Sequence, residues 1–399
     1  MNTQKYMKSF DFTGKKVLIR VDFNVPQNEN LTVTDNTRIA AAAPTIKKVI
    51  EAGGIPVLMS HLGRPDGKRV PKLSLNALVG EVEKVVGASV HFAEDCIGEA
   101  AAKVVAQAKP GEVVLLENLR YYKEETSGDT GFAKSLAALG DVYLNDAFGT
   151  AHRAHASTAI IAQYFSQENK GFGNLMNAEV ESISKALGSD RSSTVAIIGG
   201  AKVSSKIGVI NNMIDNVGTV IIGGGMGFTF VKALGGAIGT SLVENDKLDL
   251  AKELIAKAEA KKCNLLIPVD TLITKEFADT PPERVCPIGA IPEGYMGLDN
   301  GPQSISKAVE ALASSKTIIW NGPMGVFEFE NYAGGTKAVA QAVAEATANG
   351  AFSLIGGGDS VAAVNKFGYT DKVSYISTGG GAMLEFLEGK TLPGVAALG

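Results

Sequence analysis

The chain of 399 residues is 45% hydrophobic and 20% charged with a formal net charge of −4, a composition that excludes a disordered or membrane-embedded protein and favours two α/β domains. No basic tract interleaved with aromatics occurs, so nucleic acid is not expected as a partner. Cys96, Cys263 and Cys286 lie far apart without C-x-x-C spacing, which argues against a disulfide framework or a zinc site and fits a reduced cytoplasm.

The opening MNTQKYMKSF has no apolar core of a signal peptide, and the uncharged stretch from Val217 to Val231 is broken by glycines and ended by Lys232. Neither export nor a membrane span is expected. Short β-branched runs follow, separated by Ala/Lys/Glu-rich helical stretches: KKVLIRVD (15–22), IPVLMSH (55–61), SVHFAED (89–95), EVVLLENLR (112–120) and DVYLNDAF (141–148). This alternation predicts βαβ units around a parallel sheet. A stretch after Gly171-Phe172-Gly173 places Val180, Ile183 and Leu187 on one helical face with Gly188 as a stop, and reads as a connecting helix. The rhythm then resumes with TVAIIGG (194–200), TVIIGGG (219–225), NLLIPVD (264–270), TIIWNGP (317–323), FSLIGGGD (352–359) and VSYISTGGG (373–381), predicting a second parallel sheet.

In open α/β sheets ligands bind beyond the carboxyl ends of the strands, and those ends differ between the halves. All four His and six of the eight Arg precede residue 156. Arg20, Asp22 and Asn24 alternate at the end of the first strand, so they point the same way. His61 and Arg64 end the second, Arg120 the fourth, and Arg153 follows the fifth, with Arg38 in a loop. Singly, each Arg is as readily paired with a surface carboxylate. Together they form a rim suited to bidentate contact with phosphate and carboxylate. His152 and His155, taken alone, are expected as buried, hydrogen-bonded imidazoles, since no Cys or Glu at ligand spacing completes a zinc set. His91 is expected to be structural.

The second half ends its strands in glycine. Gly199 to Lys206 follows a strand and is expected to open a helix, with Lys202 and Lys206 on one helical face and backbone N–H groups facing an anion. Three further glycine runs follow strands, at 223–227, 356–358 and 379–381, and Asp359 beside the second of these suits Mg²⁺. One glycine run says little, because tight turns need glycine anyway. Four point to a nucleotide. No G-x-x-x-x-G-K-[ST] is present, the runs after Ile222 and Ser377 place Phe228 and Leu384 where G-x-G-x-x-G needs glycine, and D-F-G and H-R-D are absent. These spacings exclude a P-loop and a protein kinase and disfavour a dinucleotide dehydrogenase.

VLIRVDFNVP (17–26), followed in order by SHLGRP, ENLRYYKEE, NDAFGTAHRAHAS, GGAKVSSKI, GGGMGFTF, WNGPMGVFE, GGGDS and STGGGA, resembles the phosphoglycerate kinase family over nearly the whole chain. Gly227 and Tyr295 depart from the residues frequent there. The resemblance implies two Rossmann-like domains joined by a helical hinge: 1–172 for phosphoglycerate, 173–188 the connecting helix, 189–382 for the nucleotide, and a tail, 383–399, that returns to the first domain. It implies Mg²⁺-dependent transfer between 1,3-bisphosphoglycerate and ADP, giving 3-phosphoglycerate and ATP, by a cytoplasmic monomer. Asp22, Asn24, Arg38, His61, Arg64, Arg120 and Arg153 would hold the phosphoglycerate, with Arg38 at its carboxyl end. Gly200, Lys202, Lys206, Gly224, Gly297, Asn321, Pro323, Glu328, Gly357, Gly358, Asp359 and Ser360 would surround the nucleotide. Asp359 would take the metal, and Arg38, Lys202, Gly358 and Gly380 would act on the moving phosphoryl group. A non-catalytic binding protein is the alternative, disfavoured by the presence of both Lys202 and the Asp359 turn.

Overall fold

The computed structural model describes residues 10–399. Backbone contacts divide the chain into two compact units, Met1–Glu181 with Thr391–Gly399, and Ser182–Lys390.

The first unit holds β1 (Lys16–Arg20), β2 (Ile55–Met59), β3 (Val90–Ala93), β4 (Val113–Leu116), β5 (Val142–Asn145) and β6 (Lys170–Phe172), ordered β3-β4-β2-β1-β5-β6. Every neighbouring pair is parallel. β1, β2, β4 and β5 have buried residues at nearly every position, because helices cover both faces of such a sheet. Arg20 is in register with Met59 on one side and Asn145 on the other. The polar segments after these strands therefore emerge side by side along one edge. β6 lies in a stretch read from sequence only as the approach to a helix; it is short, and its Lys170 and Gly171 carry no β-branched signature.

A helix runs from Asn174 to Leu187, its residues to Glu181 in the first unit and the rest in the second. Val180 and Ile183 on it are buried. Its start is held by the Asp146 carboxylate, whose Oδ1 accepts from Met176 N–H at 3.1 Å, and a Cβ on Gly173 would lie 2.2 Å from that oxygen, so only glycine fits there. Burial pushes the Asp146 pKa up to about 7.

The second unit contains β7 (Thr194–Ile198), β8 (Thr219–Ile222), β9 (Ala237–Ile238), β10 (Asn264–Leu266), β11 (Asp270–Thr274), β12 (Arg284–Pro287), β13 (Ala290–Ile291), β14 (Met296–Asn300), β15 (Thr317–Asn321), β16 (Phe352–Ile355) and β17 (Tyr375–Ile376). Its main sheet, parallel throughout, runs β10-β8-β7-β15-β16-β17. The chain leaves β7 towards one edge and returns through β15 to the other, so the strand order reverses between them. That reversal opens a crevice at the carboxyl ends. Trp320, in β15, is fully buried and donates from its indole N–H to Gly322 O at 2.8 Å; burying such a side chain stabilises by a few kcal/mol, at about 25 cal/mol per Å² of apolar area. A three-stranded antiparallel sheet, β12-β11-β14, was not foreseen. Pro268 separates β10 from β11 within what read as one run.

Candidate active site

In the first unit the alternation expected after β1 is present: Val21, Phe23 and Val25 are buried, whereas Asp22 and Asn24 are partly open. Asp22 Oδ2 accepts from Arg38 Nη1 at 2.9 Å. Asn24 Oδ1 accepts from Gly63 N–H at 2.8 Å, while Arg120 Nη1 donates to Gly63 O at 2.9 Å, so the turn carrying His61 and Arg64 is gripped from both sides. The Asn118 amide adds bonds to Leu62 O and Leu73 O at 2.7 and 2.8 Å. Arg64, Arg120 and Arg153 line one open cleft of about 590 Å³, joined by Tyr122 and Lys123.

Arg20 departs from the expected rim: it is wholly buried beneath the site rather than on it, because its guanidinium finds partners inside. His91 lies in β3, its ring about half exposed and facing Glu112 Oε2 at 3.2 Å. His155 is buried as expected, but its Nδ1 makes no hydrogen bond.

The electrostatics of this cluster are those of excess positive charge. Burial and the neighbouring guanidiniums of Arg20 and Arg153 bring Arg120 down to about 10, and its Nε is buried without a partner. Burial, then Arg20, Arg120 and Arg38, hold His61 well below the usual imidazole range, and burial with Arg20, Arg120 and Arg153 brings His155 to about 4. Both rings are neutral near pH 7. An anion entering here would supply what the cluster lacks.

His155 makes a stability prediction. Its folded pKa lies below the unfolded value, so the unfolded chain binds the extra proton as pH falls from about 6.5 to about 4, and the stability contributed by the neutral ring is lost over that window. His155→Gln should therefore gain on wild type by up to ~3 kcal/mol between those limits, and denaturant midpoints of both proteins at a series of pH values check it. A stability difference that does not change with pH refutes the assignment. Asp146, present in both proteins, drops out of the difference.

In the second unit the register aligns Asn321 with Ile198, and Ile198 with Ile222, which brings three glycine turns to one edge. Gly199 N–H donates to Asn321 O at 3.0 Å. A Cβ on Gly199 would lie 2.0 Å from Pro323 O, and one on Gly322 2.1 Å from Gly199 O. Backbone touches backbone at the reversal of strand order, and no larger residue fits. Ser360 Oγ accepts from Gly322 N–H at 2.5 Å and is buried, so its hydroxyl fastens the turn.

Gly200, Gly224, Gly297, Pro323, Glu328 and Asp359 line a single cleft of about 310 Å³. Its remaining wall is largely apolar, with Phe228, Leu242, Phe277, Met296 and Val326. These were missed from sequence as site residues, although Phe228 stands inside the quoted GGGMGFTF. Lys206 Nζ donates to Asn321 Oδ1, and Asn321 Nδ2 to Gly356 O at 3.0 Å. Burial lowers the Lys206 pKa, opposed by the Asp359 carboxylate. Gly357 has φ +87° and precedes the helix Gly358–Lys366, whose first turn carries Asp359. Gly380 has φ +50° before the helix Gly381–Leu387.

One expectation fails here. Lys202 and Lys206 do not share a helical face: Lys202 is extended, Val203–Ser205 forms a 3₁₀ turn, and the α-helix begins at Ile207. The Glu244 carboxylate accepts from Ser204 N–H and Oγ at 3.0 and 2.5 Å and holds the segment as a turn. Lys202 is consequently exposed at the mouth of the glycine turn, and Lys206 is partly buried.

The family model for phosphoglycerate kinase matches residues 7–390. The chain belongs to the phosphoglycerate kinase family. It is 50% identical to the phosphoglycerate kinase of Porphyromonas gingivalis, over 98% of this chain and 99% of the relative, and 54% identical to the cytosolic phosphoglycerate kinase 3 of Arabidopsis thaliana, over 98% and 97%. Among solved structures, phosphoglycerate kinase from Coxiella burnetii is 40% identical with a TM-score of 0.91, covering 99% of this chain and 98% of that one. Phosphoglycerate kinase from Pyrococcus horikoshii is 31% identical with a TM-score of 0.78, over 98% of both chains. Membership makes this chain a glycolytic phosphotransferase with a carboxyl group as acceptor, acting on 3-phosphoglycerate with ATP and ADP, and the fold of two six-stranded parallel sheets flanked by helices is that of the family. No helix among the described residues is long and apolar enough to cross a membrane.

Proposed function

We propose that the arginine cluster of the first unit holds the phosphoglycerate and the glycine-lined cleft of the second holds the nucleotide. The observation that carries this reading is the surplus of positive charge around Arg120, whose buried Nε lacks a partner, on the family's phosphoglycerate motifs. Asp22, Asn24, Arg38, His61, Arg64, Arg120 and Arg153 bind the substrate, the arginines and His61 gripping the 3-phosphate and Arg38 standing at the carboxyl end. The apolar wall takes the base. Gly200, Gly224, Gly297, Asn321, Pro323 and Glu328 surround the nucleoside, and Lys202, Lys206 and the Gly357 to Ser360 turn face its phosphates.

The chemistry needs no general base. A carboxylate is already ionised at neutral pH, so the obstacle is repulsion between anions. Catalysis rests on in-line positioning and on positive charge and N–H groups aimed at the transferred phosphoryl group, supplied by Arg38, Lys202 and the backbone of Gly358 and Gly380. Asp359 fits a magnesium–nucleotide complex. It is an exposed carboxylate in the same cleft, and no cluster of three or more candidate metal ligands occurs among the described residues, which suits an ion carried largely by phosphates. That ion would neutralise phosphate charge.

With substrates divided between units, transfer requires them to approach, and hinge closure is the expected motion. The working domains are 1–172, the connecting helix 173–188, 189–382 and the tail 383–399, in a cytoplasmic monomer that engages neither nucleic acid nor membrane. A coupled assay with 3-phosphoglycerate and magnesium-ATP, with arginine and Asp359 variants, tests the residue roles. Wild-type turnover in all of them would refute the assignment.

Gly297 gives a narrower test of the base wall. A Cβ there would lie 2.5 Å from the Phe228 ring and from Thr271 Oγ1, so Gly297→Ala forces the ring towards the base at a cost of about 1–3 kcal/mol. KM for ATP should rise roughly tenfold while KM for 3-phosphoglycerate stays put. Steady-state kinetics with each substrate varied decide it, and an unchanged KM for ATP removes the base from this wall.

A further inference from the structure

His61 and Asp22 face each other without a good hydrogen bond. Nδ1 of the ring lies 3.9 Å from Asp22 Oδ1, and a carboxylate beside an imidazole ordinarily draws the proton to the nearer nitrogen. A different partner occupies that nitrogen. Arg20 Nη2 lies 3.1 Å from His61 Nδ1, and a guanidinium has only donors to offer. Nδ1 must therefore accept, which leaves the proton on Nε2.

Arg20 is held for this task from the far side. It is fully buried at the end of β1, donating from Nε to Ser157 Oγ at 2.8 Å and from Nη1 to Val21 O. Ser157 Oγ in turn donates to Glu125 Oε1 at 2.6 Å, and Ser157 N–H donates to Glu125 Oε2 at 3.0 Å. Glu125 is also fully buried. A charged pair bridged by a serine and sealed from water contributes little net stability compared with apolar residues of the same size. What it supplies is orientation.

We infer that Arg20, fixed by Glu125 through Ser157, is a positioning residue that holds His61 as the neutral Nε2–H tautomer, so that the ring presents a donor and not a lone pair to the phosphoglycerate. This rests on the reading of His61 as a phosphoglycerate ligand. The surroundings of the ring agree with a neutral state: burial, then Arg20, Arg120, Arg38 and His155, disfavour a second proton, against the Asp22 carboxylate. Without Arg20, Asp22 would capture the proton on Nδ1, and Nε2 would turn a lone pair towards an anion.

Two-bond ¹H–¹⁵N correlation spectra of the wild-type protein read the tautomer directly. His61 should show a protonated Nε2 and a bare Nδ1 throughout about pH 6 to 8, and saturating 3-phosphoglycerate should shift the Nε2 signal. An Nδ1–H ring or an imidazolium in that range overturns the inference. A correct tautomer that 3-phosphoglycerate leaves unmoved overturns instead the placement of the substrate beside His61. The variant Arg20→Met/Glu125→Gln removes both buried charges together and leaves neither ion unpaired. It should move the proton to Nδ1 and raise KM for 3-phosphoglycerate about tenfold, the cost of roughly one charged hydrogen bond, with KM for ATP unchanged; Arg20→Lys, which keeps a donor, should restore part of the loss. A folded double variant with the wild-type tautomer and KM overturns the proposal. If that variant does not fold, the wild-type spectrum alone decides.

Discussion

Arg38→Ala is expected to lower kcat and kcat/KM together by ~10²-fold or more, the scale of losing one preorganised charge at a reacting group. Arg64→Ala is expected mainly to raise KM for 3-phosphoglycerate. The difference follows from the roles proposed for the two side chains. Arg38 is tethered to Asp22 Oδ2 at 2.9 Å with its side chain 44% exposed, which leaves it held at one end and free to meet the carboxyl group whose charge changes in transfer. Arg64 shares a cleft with Arg120 and Arg153, so its neighbours keep most of the grip on the remote phosphate when it is lost. An interaction made only in the transition state affects both constants, whereas one made equally to bound substrate spares kcat. Remote binding energy also helps drive closure, so the ranking of the two variants is the expected result. Steady-state kinetics with 3-phosphoglycerate varied at saturating magnesium-ATP measure it. Near-normal kcat in Arg38→Ala, with KM alone raised, would falsify its placement at the reaction centre.

The second large effect is expected at Asp359. Asp359→Ala should lose most turnover, with the residual activity needing more Mg²⁺ than wild type, because on the proposed reading this carboxylate is the protein's share of a site otherwise built from phosphates. It also raises the Lys206 pKa against the lowering effect of burial. Its removal therefore leaves that lysine easier to deprotonate, and the alkaline limb of the activity profile should move to lower pH. Titrations of activity with Mg²⁺ and pH profiles of both proteins test the pair of effects. Wild-type turnover at limiting Mg²⁺ in the variant rules out the metal role.

Much of this was legible because parallel strands leave a strong mark. Buried on both faces, β1, β7 and β15 read as unbroken apolar runs, and the polar or glycine residues that end them fall where ligands bind. The antiparallel β11, β12 and β14 gave no such run. β12 is mostly exposed, with Cys286 alone of its four residues buried, so its sequence differs little from a loop. Arg20 was placed on the rim because alternation reports which side a residue faces and says nothing of what waits there. Its partners Ser157 and Glu125 are far from it in sequence. Lys202 and Lys206 went astray for a similar reason: spacing by four implies a shared face only inside an α-helix, and the contact that holds the segment as a turn comes from Glu244, 40 residues on. Phe228 and Leu242 escaped notice because an apolar residue lining a slot and one filling a core look alike as letters.

The segment Thr391–Gly399 belongs to the first unit although everything from Ser182 to Lys390 belongs to the second. It is anchored by Gly394 N–H donating to Ala151 O at 2.8 Å and by buried Leu392, Val395 and Leu398, immediately beside the loop that carries Arg153. On the ribosome these residues emerge only after the whole second unit. The unit made first is thus completed last, and until then the loop that carries Arg153 lacks a backbone partner at Ala151 and three apolar neighbours. A chain truncated after Lys390 and released should already protect the glycine-lined cleft of the second unit from proteolysis while the loop around Arg153 stays open to cleavage.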